Sequence, residues 1–311
     1  MRPFASEGTS RWTGFGASYG PYRDGQAPGA VDPSEEELLE DLRIIQNHWS
    51  FIRTYGSVGP TEEIVRLIAE HDLGIKVMVG AWIAVEETEV EGTGVAQRFP
   101  QVSQQNRNEV DTAIRLANMY PQVVNAVCVG NETQVSWSAH RGPVRIVLDY
   151  VRKVRKNIKQ PVTHADDYNY WNKPESRLLA REIDFIVWHA HPLWNGQSLE
   201  NAIPWLESKF DEVKAMHPHN VIVIGETGWA TQVHNEGEQA RLITGAAGES
   251  EQAQFYQDIQ AWSKRKQVGV YYFEVFDENW KGGPHPNEVE KHWGVYGEDR
   301  KPKEAIRSGS R

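Results

Sequence analysis

Two stretches of the sequence each place a glutamate directly after a run of β-branched residues. Glu132 follows VVNAVCVGN, and Glu226 follows NVIVIG. Such runs are typical of buried strands, and a glycine at the end of the run bends or stops the strand. Two carboxyl groups that face each other across a cleft can act as general acid and as nucleophile or base, provided that their environments separate their pKa values. Glu132 and Glu226 are therefore the candidate catalytic residues.

A purely structural role for these glutamates is the alternative. A glutamate at the end of a strand can pair with a lysine or arginine, or it can cap the following helix. One such glutamate alone would favour that structural interpretation. Both occur here in one chain, in the settings Gly-Asn-Glu and Gly-Glu-Thr-Gly-Trp, and this combination favours catalysis.

Eight apolar, β-branched segments alternate with helical patterns along the chain. Near-continuous apolar runs are typical of strands that are covered on both faces. The segments are Phe15–Tyr19, Phe51–Tyr55, Ile75–Val79, Val123–Val129, Pro161–His164, Phe185–His189, Val221–Ile224 and Val270–Phe276. This alternation predicts one α/β domain, a (β/α)8 TIM barrel with the glutamates at the carboxyl-terminal ends of strands four and seven. A doubly wound open sheet is the alternative, but the glycine-rich nucleotide-binding turn after the first strand is missing.

The domain boundaries follow from the same pattern. Residues 1–11 are predicted to be a poorly ordered extension, 12–307 the catalytic barrel, and 308–311 a tail or a vector-derived scar. The first helix is expected to begin with Asp32 as its cap and Pro33 at its first position, and the second to be capped by Thr61. The acidic stretch Glu86–Glu91 is predicted to be a surface loop.

Composition limits the possible partners. The chain has 311 residues, a net charge of −10 and one cysteine, Cys128, which lies in an apolar run and is expected to be buried. The negative charge argues against nucleic acid or an anionic membrane surface, because both need basic patches. No apolar run is long enough for a membrane-spanning helix, which needs about 18 residues or more. We expect a monomer that uses no cofactor.

Several motifs together resemble one enzyme family. VGNET and IGETGW resemble the acid/base and nucleophile motifs of glycoside hydrolase family 17, the β-1,3-glucanases and β-1,3-glucan transglycosylases. YGPYRDGQAP, IRTYG, WHAHPLWNG, YYFEVFDENWK and EVEKHWGVY extend the resemblance over nearly the whole chain and fit the compact microbial branch. The resemblance implies a retaining mechanism through a covalent glycosyl-enzyme intermediate, with Glu132 as proton donor and Glu226 as nucleophile.

The resemblance also implies roles for neighbouring residues. Asn131 would hydrogen-bond the sugar 2-hydroxyl, and Tyr55 would lie near the nucleophile. A charged cluster would support the acid and the substrate, and it consists of Glu278, Lys281 and Glu290. His191 stands where plant members carry tyrosine before proline, so the roles of that tyrosine do not carry over.

Aromatic residues are unusually frequent, with 12 tryptophans. Flat amphipathic rings suit the apolar faces of sugars, although filling the core is the other possibility. Five tryptophans fall just beyond strand ends, where a barrel gathers its loops: Trp171, Trp194, Trp229, Trp280 and Trp293. Of these we expect Trp194, Trp229 and Trp280 to contact substrate, together with Tyr168.

The motif His189-Ala190-His191 permits two interpretations. With Asp166 and Asp167 it could hold a metal ion, since metal-dependent barrel hydrolases use His-x-His. We favour the second interpretation, in which His189, His191 and Asp167 bind sugar hydroxyls or the catalytic carboxylates and no metal is used.

Three functions fit these patterns. The first is an endo-β-1,3-glucanase acting on laminarin-type chains. The second is a β-1,3-glucan transglycosylase that uses the same glutamates and passes the sugar to another sugar, by elongation or by making β-1,6 linkages. The third, a non-catalytic glucan-binding barrel, is disfavoured by the presence of both glutamates. The substrate class predicts a location outside the cytoplasm, secreted, periplasmic or at the cell envelope, although the sequence carries no recognisable export signal.

Overall fold

The computed structural model describes residues 2–4, 14–90 and 95–307. Within those ranges the chain forms ten strands, of which β4 and β5 pair with each other and the other eight close into a parallel barrel. The strands are β1 (Phe15–Ser18), β2 (Phe51–Arg53), β3 (Lys76–Ala81), β4 (Glu87–Val90), β5 (Val95–Arg98), β6 (Val124–Asn131), β7 (Val162–Asp167), β8 (Ile186–His189), β9 (Ile222–Thr227) and β10 (Val270–Tyr272).

The barrel order is β1-β10-β9-β8-β7-β6-β3-β2, and β1 pairs with both β10 and β2. All eight predicted strands are present in the predicted order. The (β/α)8 TIM barrel is therefore confirmed, and the doubly wound open sheet is wrong because both edges of the sheet are paired.

Helices follow the strands and cover the outside of the barrel. Those found in the described residues are α1 (Glu35–Ile45), α2 (Pro60–Glu70), α3 (Pro100–Met119), α4 (Val144–Asn157), α5 (Tyr168–Trp171), α6 (Arg177–Ala180), α7 (Leu199–Met216), α8 (Gly237–Leu242), α9 (Glu249–Lys266) and α10 (Glu304–Arg307). Helix α4 shows the pattern at its clearest: Val147, Val151 and Val154 are buried and recur every three or four residues.

Two predicted helix starts are wrong by a few residues. Helix α1 is capped by Ser34, whose side chain accepts the Glu37 N–H while the Glu37 side chain accepts the Ser34 N–H. This reciprocal pair satisfies two free N–H groups, which the expected Asp32 cap would not do. Helix α2 follows Gly59 and begins at Pro60, so Thr61 lies inside its first turn.

A small second core fills the inside of the barrel. It includes Met78, Cys128 and Val187, and Phe4 closes it by stacking on Phe185 with ring centroids 4.1 Å apart. The Arg2 N–H also donates to Asp184 over 2.8 Å. Residues 2–4 therefore pack against the barrel, and the poorly ordered extension over 1–11 stays a prediction. The remainder of 1–11 and the tail 308–311 lie outside the described residues.

The acidic stretch after β3 is not the simple loop that was predicted. Strands β4 and β5 pair in an antiparallel hairpin with Glu87 opposite Arg98. Arg145 of α4 also pairs with Glu87, which fixes the hairpin to the barrel. In the described part of the chain, no helix is long and apolar enough to cross a membrane.

Candidate active site

Glu132 lies one residue beyond β6, at the carboxyl-terminal mouth of the barrel. Its φ of 50° is in the left-handed region, which a residue with a side chain rarely adopts. Its N–H donates to the Ala165 carbonyl of β7 over 2.9 Å, and the pairing of β6 with β7 shifts register just before it. This irregular strand end turns Glu132 towards the centre of the mouth, where its carboxyl contacts His189.

The loop after Glu132 is held by a buried carboxylate. Asp166 accepts the backbone N–H groups of Gln134 at 2.8 Å and Val135 at 3.2 Å, and His164 lies 3.2 Å from its Oδ2. Asp166 therefore supports the position of the candidate acid and is not exposed for a ligand.

Glu226 lies on β9, opposite His189 of β8 in the strand register. The residue before it is glycine for a steric reason. A Cβ at Gly225 would clash with Val187 and approach His189 Nε2 to 3.1 Å. The imidazole can therefore pack directly over the β9 backbone, beside the carboxyl group of Glu226.

Three side chains donate hydrogen bonds to the Glu226 carboxylate. Its Oε1 accepts from Arg53 Nη1 at 2.8 Å and from the Tyr55 hydroxyl at 3.0 Å. Its Oε2 lies 3.3 Å from Nε2 of His191. Burial alone would raise its pKa, but the neighbouring histidines and Arg53 outweigh burial and hold the pKa of Glu226 well below its usual range. Glu226 is therefore ionised across the physiological pH range.

Arg53 joins the candidate nucleophile to Asn131. Its side chain is 1% exposed. Nη2 donates to Asn131 Oδ1 at 2.5 Å, while Nη1 also donates to the Gly225 carbonyl at 3.1 Å. The sequence analysis did not select Arg53. A charged residue inside the apolar segment Phe51–Tyr55 was the available signal.

His189 contacts both candidate catalytic residues. The ring is fully buried, with Nδ1 3.1 Å from Glu132 Oε1 and Nε2 3.5 Å from Glu226 Oε1. The two strand tips therefore converge on one imidazole. His189 and His191 contact carboxylates, which is the second of the two interpretations given above.

His191 also rests on an aromatic wall. Its ring packs edge-on against Phe273 and Trp293, with centroids 5.4 and 5.2 Å away. Burial disfavours the imidazolium, but the hydrogen bond with Glu226 outweighs burial and raises the pKa of His191. A raised pKa favours the imidazolium of His191, and the imidazolium is the better hydrogen-bond donor to the Glu226 carboxylate.

Lys281 binds two carboxylates beside the site. Its Nζ lies 2.7 and 2.6 Å from the two oxygens of Glu274 and 2.7 Å from Glu278 Oε2. Glu274 is fully buried and lies two residues after β10, inside the predicted apolar segment Val270–Phe276. It was not among the predicted site residues. Burial opposes the charge of Lys281, but the two carboxylates raise its pKa above the ordinary value. The lysine compensates the local negative charge.

The remaining predicted polar residues lie around this centre. Glu290 Oε1 accepts from Trp194 Nε1 at 2.9 Å, and burial raises the pKa of Glu290. The Tyr168 hydroxyl donates to Asn195 at 3.0 Å. Asp167 caps α5, and burial, together with the nearby charge of Glu132, raises the pKa of Asp167 to about 7 in spite of the Asn169 N–H.

The tryptophans divide into two groups. Trp229 is fully buried, and its Nε1 donates to the Ala246 carbonyl over 2.9 Å. The expectation that Trp229 contacts substrate is therefore wrong, and Trp171 and Trp293 are core residues for the same reason. Trp280 is 41% exposed and donates to Glu278 over 3.0 Å, and Trp194 is partly exposed, so both can still meet a ligand.

A metal site was the other interpretation of the histidine motif. Across the ranges that the structure describes, no group of three His, Cys, Asp or Glu side chains is arranged to hold a metal ion. Asp166, both ring nitrogens of His189 and Nε2 of His191 take part in the network described above.

In this TIM barrel two glutamates meet at the carboxyl-terminal mouth, where both contact the buried ring of His189. This is the architecture of a glycoside hydrolase. Residues 16–294 match the model of the BtgE/BtgC glycoside hydrolase domain, so the chain belongs to that family. The predicted enzyme class is confirmed.

Similar proteins agree with this class. A glucan 1,3-beta-glucosidase of Arthroderma benhamiae is 28% identical over 302 residues, which cover 90% of this chain and 85% of that protein. The crystal structure of an endo-laminarinase from a Formosa strain superposes with a TM-score of 0.81 at 26% identity, covering 96% of this chain and 87% of that one. A β-1,3-glucanosyltransferase of Rhizomucor miehei, in complex with laminaritriose, shares the fold with a TM-score of 0.73 at 24% identity, covering 94% of this chain and 96% of that one.

Proposed function

We propose that this enzyme cleaves β-1,3-glucan chains internally by a retaining mechanism, with Glu226 as nucleophile and Glu132 as acid and base. The observation that carries the proposal is the convergence of both glutamates on the ring of His189. The name of the Arthroderma relative supports the substrate class, and the name of the Formosa endo-laminarinase supports internal cleavage.

The surroundings of Glu226 favour a nucleophile over a general base. A general base works best with a pKa near the operating pH, whereas the pKa of Glu226 is held well below its usual range. Both oxygens of Glu226 already face protein donors, namely Arg53 and Tyr55 on one side and His191 on the other. These donors keep the carboxylate ionised and hold it in one orientation, which suits direct attack on the anomeric carbon.

The two steps exchange one proton. In the first, a Glu226 oxygen bonds to the anomeric carbon while the glycosidic bond breaks and Glu132 protonates the leaving oxygen. In the second, Glu132 takes a proton from the incoming hydroxyl, whose oxygen attacks the same carbon and releases Glu226. Asn131, whose side chain accepts from Arg53, would bind the sugar 2-hydroxyl.

The neighbouring side chains support the proposed substrate site. Trp280 and Trp194 offer partly exposed rings, and their polar edges are held by Glu278 and Glu290. Lys281 keeps its two carboxylates compensated, so that the surroundings do not repel the charge of Glu226. Tyr168, Asp167 and His191 complete the proposed substrate contacts.

A transglycosylase is the second candidate. The exposed ring of Trp280 and the partly exposed ring of Trp194 could hold an acceptor sugar in place of water. The R. miehei glucanosyltransferase shows that this fold accommodates transfer. Hydrolysis and transfer differ only in which hydroxyl reaches the glycosyl-enzyme first.

One incubation tests the proposal. Laminarihexaose is mixed with the enzyme, and the products are separated by chromatography and identified by mass, with NMR of the anomeric protons at early time. Shorter products with β configuration support the retaining endoglucanase. Products longer than the starting chain identify the transglycosylase, and α products at early time would contradict the retaining mechanism. Binding without any products would indicate a glucan-binding barrel.

We also infer that the enzyme acts as a monomer outside the cytoplasm, in a secreted, periplasmic or envelope location. One chain supplies every residue of the site described above. A glucan chain is also a large polar polymer, which reaches an enzyme most directly outside the cell membrane.

A further inference from the structure

The buried ring of His189 can carry its hydrogen on either nitrogen, and its surroundings select one of them. Nδ1 lies 3.1 Å from Glu132 Oε1, and the nearest partner of Nε2 is Arg53 Nη1 at 3.3 Å, with Glu226 Oε1 farther away at 3.5 Å. A guanidinium nitrogen carries only donors, so an imidazole nitrogen that faces it must accept. A hydrogen on Nε2 would instead point at the N–H groups of Arg53.

The neutral ring therefore carries its hydrogen on Nδ1, and the imidazolium carries one there as well. That N–H points at Glu132 and donates to Oε1. Arg53 Nη1 has two hydrogens and three acceptors within reach, namely Glu226 Oε1, the Gly225 carbonyl and His189 Nε2, so one hydrogen is shared between two of them. His189 thus links the arginine that holds the nucleophile to the carboxyl that supplies the proton.

This arrangement distinguishes the two oxygens of Glu132. When Oε1 accepts from His189, the acidic proton of Glu132 must sit on Oε2. The Glu132 side chain is 29% exposed while His189 is fully buried, so the carboxyl is open to ligand from the side away from the histidine. The first step would then move the Oε2 proton to the leaving oxygen, and the Nδ1–H would stabilise the carboxylate that remains.

We propose that His189 is a positioning residue that, through its Nδ1–H, fixes the catalytic proton of Glu132 on Oε2. The proposal rests on the proposed function, because it assumes that Glu132 is the acid. His189 itself neither gains nor loses a proton in the reaction. It orients the carboxyl group of Glu132. After Glu132 has given up its proton, His189 also donates a charge-assisted hydrogen bond to the carboxylate that remains.

Two substitutions separate the nitrogen atoms. In H189N the amide nitrogen can occupy the place of Nδ1 and still donate to Glu132. In H189Q the longer side chain reaches the place of Nε2 and leaves Oε1 of Glu132 without its donor. H217N is the matched control, because His217 is also buried but contacts Ser176 and Trp171, away from the glutamates.

Two substrates separate orientation of the proton from folding. Laminari-oligosaccharides need protonation of the leaving oxygen, whereas a dinitrophenyl β-laminaribioside hardly does. Since kcat/KM reports the first step for both, we expect H189Q to lose about 10- to 100-fold on the oligosaccharide, within the range of acid catalysis, and less than about 3-fold on the aryl substrate. H189N should stay within about 10-fold on both, and H217N close to the unmodified enzyme.

Equal losses in H189N and H189Q on both substrates would overturn the proposal, and so would full oligosaccharide activity in H189Q. Thermal unfolding of each variant shows whether the protein is folded, and the aryl substrate gives a readout that misplacement of the proton does not affect. If the unmodified enzyme converts neither substrate, the proposed function itself fails. If the unmodified enzyme is active but H189N and H189Q lose activity equally, only the role of His189 is overturned.

Discussion

The two glutamates lie at similar strand tips but in opposite surroundings. Glu226 is 8% exposed and accepts from Arg53 and Tyr55 with His191 on its other oxygen, whereas Glu132 is 29% exposed and contacts only the His189 ring among its side-chain partners in the described residues. Both strands shift register near their tips, and β6 is followed directly by a left-handed residue, Glu132. The difference shows how a symmetric fold gives two identical side chains different roles: one is locked as an anion, and the other is left open towards the groove.

The largest expected effect is the loss of the anion. E226Q keeps the size of the side chain but removes the charge that attacks carbon and turns one accepting oxygen into a donor. Activity on laminari-oligosaccharides should fall by more than the roughly 10²- to 10⁴-fold that acid catalysis alone supplies, and equally for substrates with good leaving groups. Steady-state rates on both substrate types measure this. Retained activity on the aryl substrate would show that Glu226 is not the nucleophile.

E132Q should give a smaller and selective loss. The oligosaccharide rate should fall by about 10²- to 10⁴-fold, because the leaving oxygen is no longer protonated. Formation of the glycosyl-enzyme from the dinitrophenyl substrate should be nearly unchanged, as a burst of dinitrophenol would show. A uniform loss on both substrates would erase the contrast between the two glutamates.

R53M tests what keeps Glu226 ionised. Removing the guanidinium raises the pKa of Glu226, because burial then opposes ionisation with fewer compensating donors. Activity needs the Glu226 anion. On acidification, R53M should therefore lose activity at a higher pH than the unmodified enzyme does. The acidic limb of kcat/KM should therefore move up by about 1–3 pH units.

R53K is the matched control, since it keeps the positive charge and should shift the limb less. The same reasoning applies to stability. An anion with a depressed pKa stabilises the fold above its ordinary range and loses that effect as pH falls through the folded-state value. R53M should be destabilised by about 3–5 kcal/mol at neutral pH, because it leaves a buried charge without its partner. An unmoved acidic limb in folded R53M would contradict the assignment.

The smallest expected effect separates two tryptophans. W280A should raise KM for laminari-oligosaccharides by about 2- to 10-fold, the worth of an aromatic contact of about 0.5–1.5 kcal/mol, and change Tm little. W229A should instead lower the free energy of unfolding by about 3–5 kcal/mol, because it empties a packed core site. Calorimetry and KM measured on both variants test this, and the reverse pattern would restore Trp229 as a sugar contact.

The misplaced tryptophans show the limit of sequence reasoning. Position just beyond a strand end located Trp280 and Trp229 equally near the mouth. The direction of each ring depends on the loop that follows, and the loop after β9 turns Trp229 inward to the Ala246 carbonyl. Arg53 and Glu274 were missed for a related reason: their charges lie inside apolar segments, and only closure of the barrel brings their partners, Glu226 and Lys281, within reach.

The sequence by itself determined the eight strands, their order and the pair of glutamates, because periodicity, strand-ending glycines and the spacing of motifs are local properties of the chain. Tertiary structure alone decided which glutamate is buried among hydrogen-bond donors and which is partly exposed to the groove. Those environments are assembled from β2, β6, β8 and β9, which are far apart in the chain. The same carboxyl group acquires its charge and orientation from neighbours that meet only in the closed barrel.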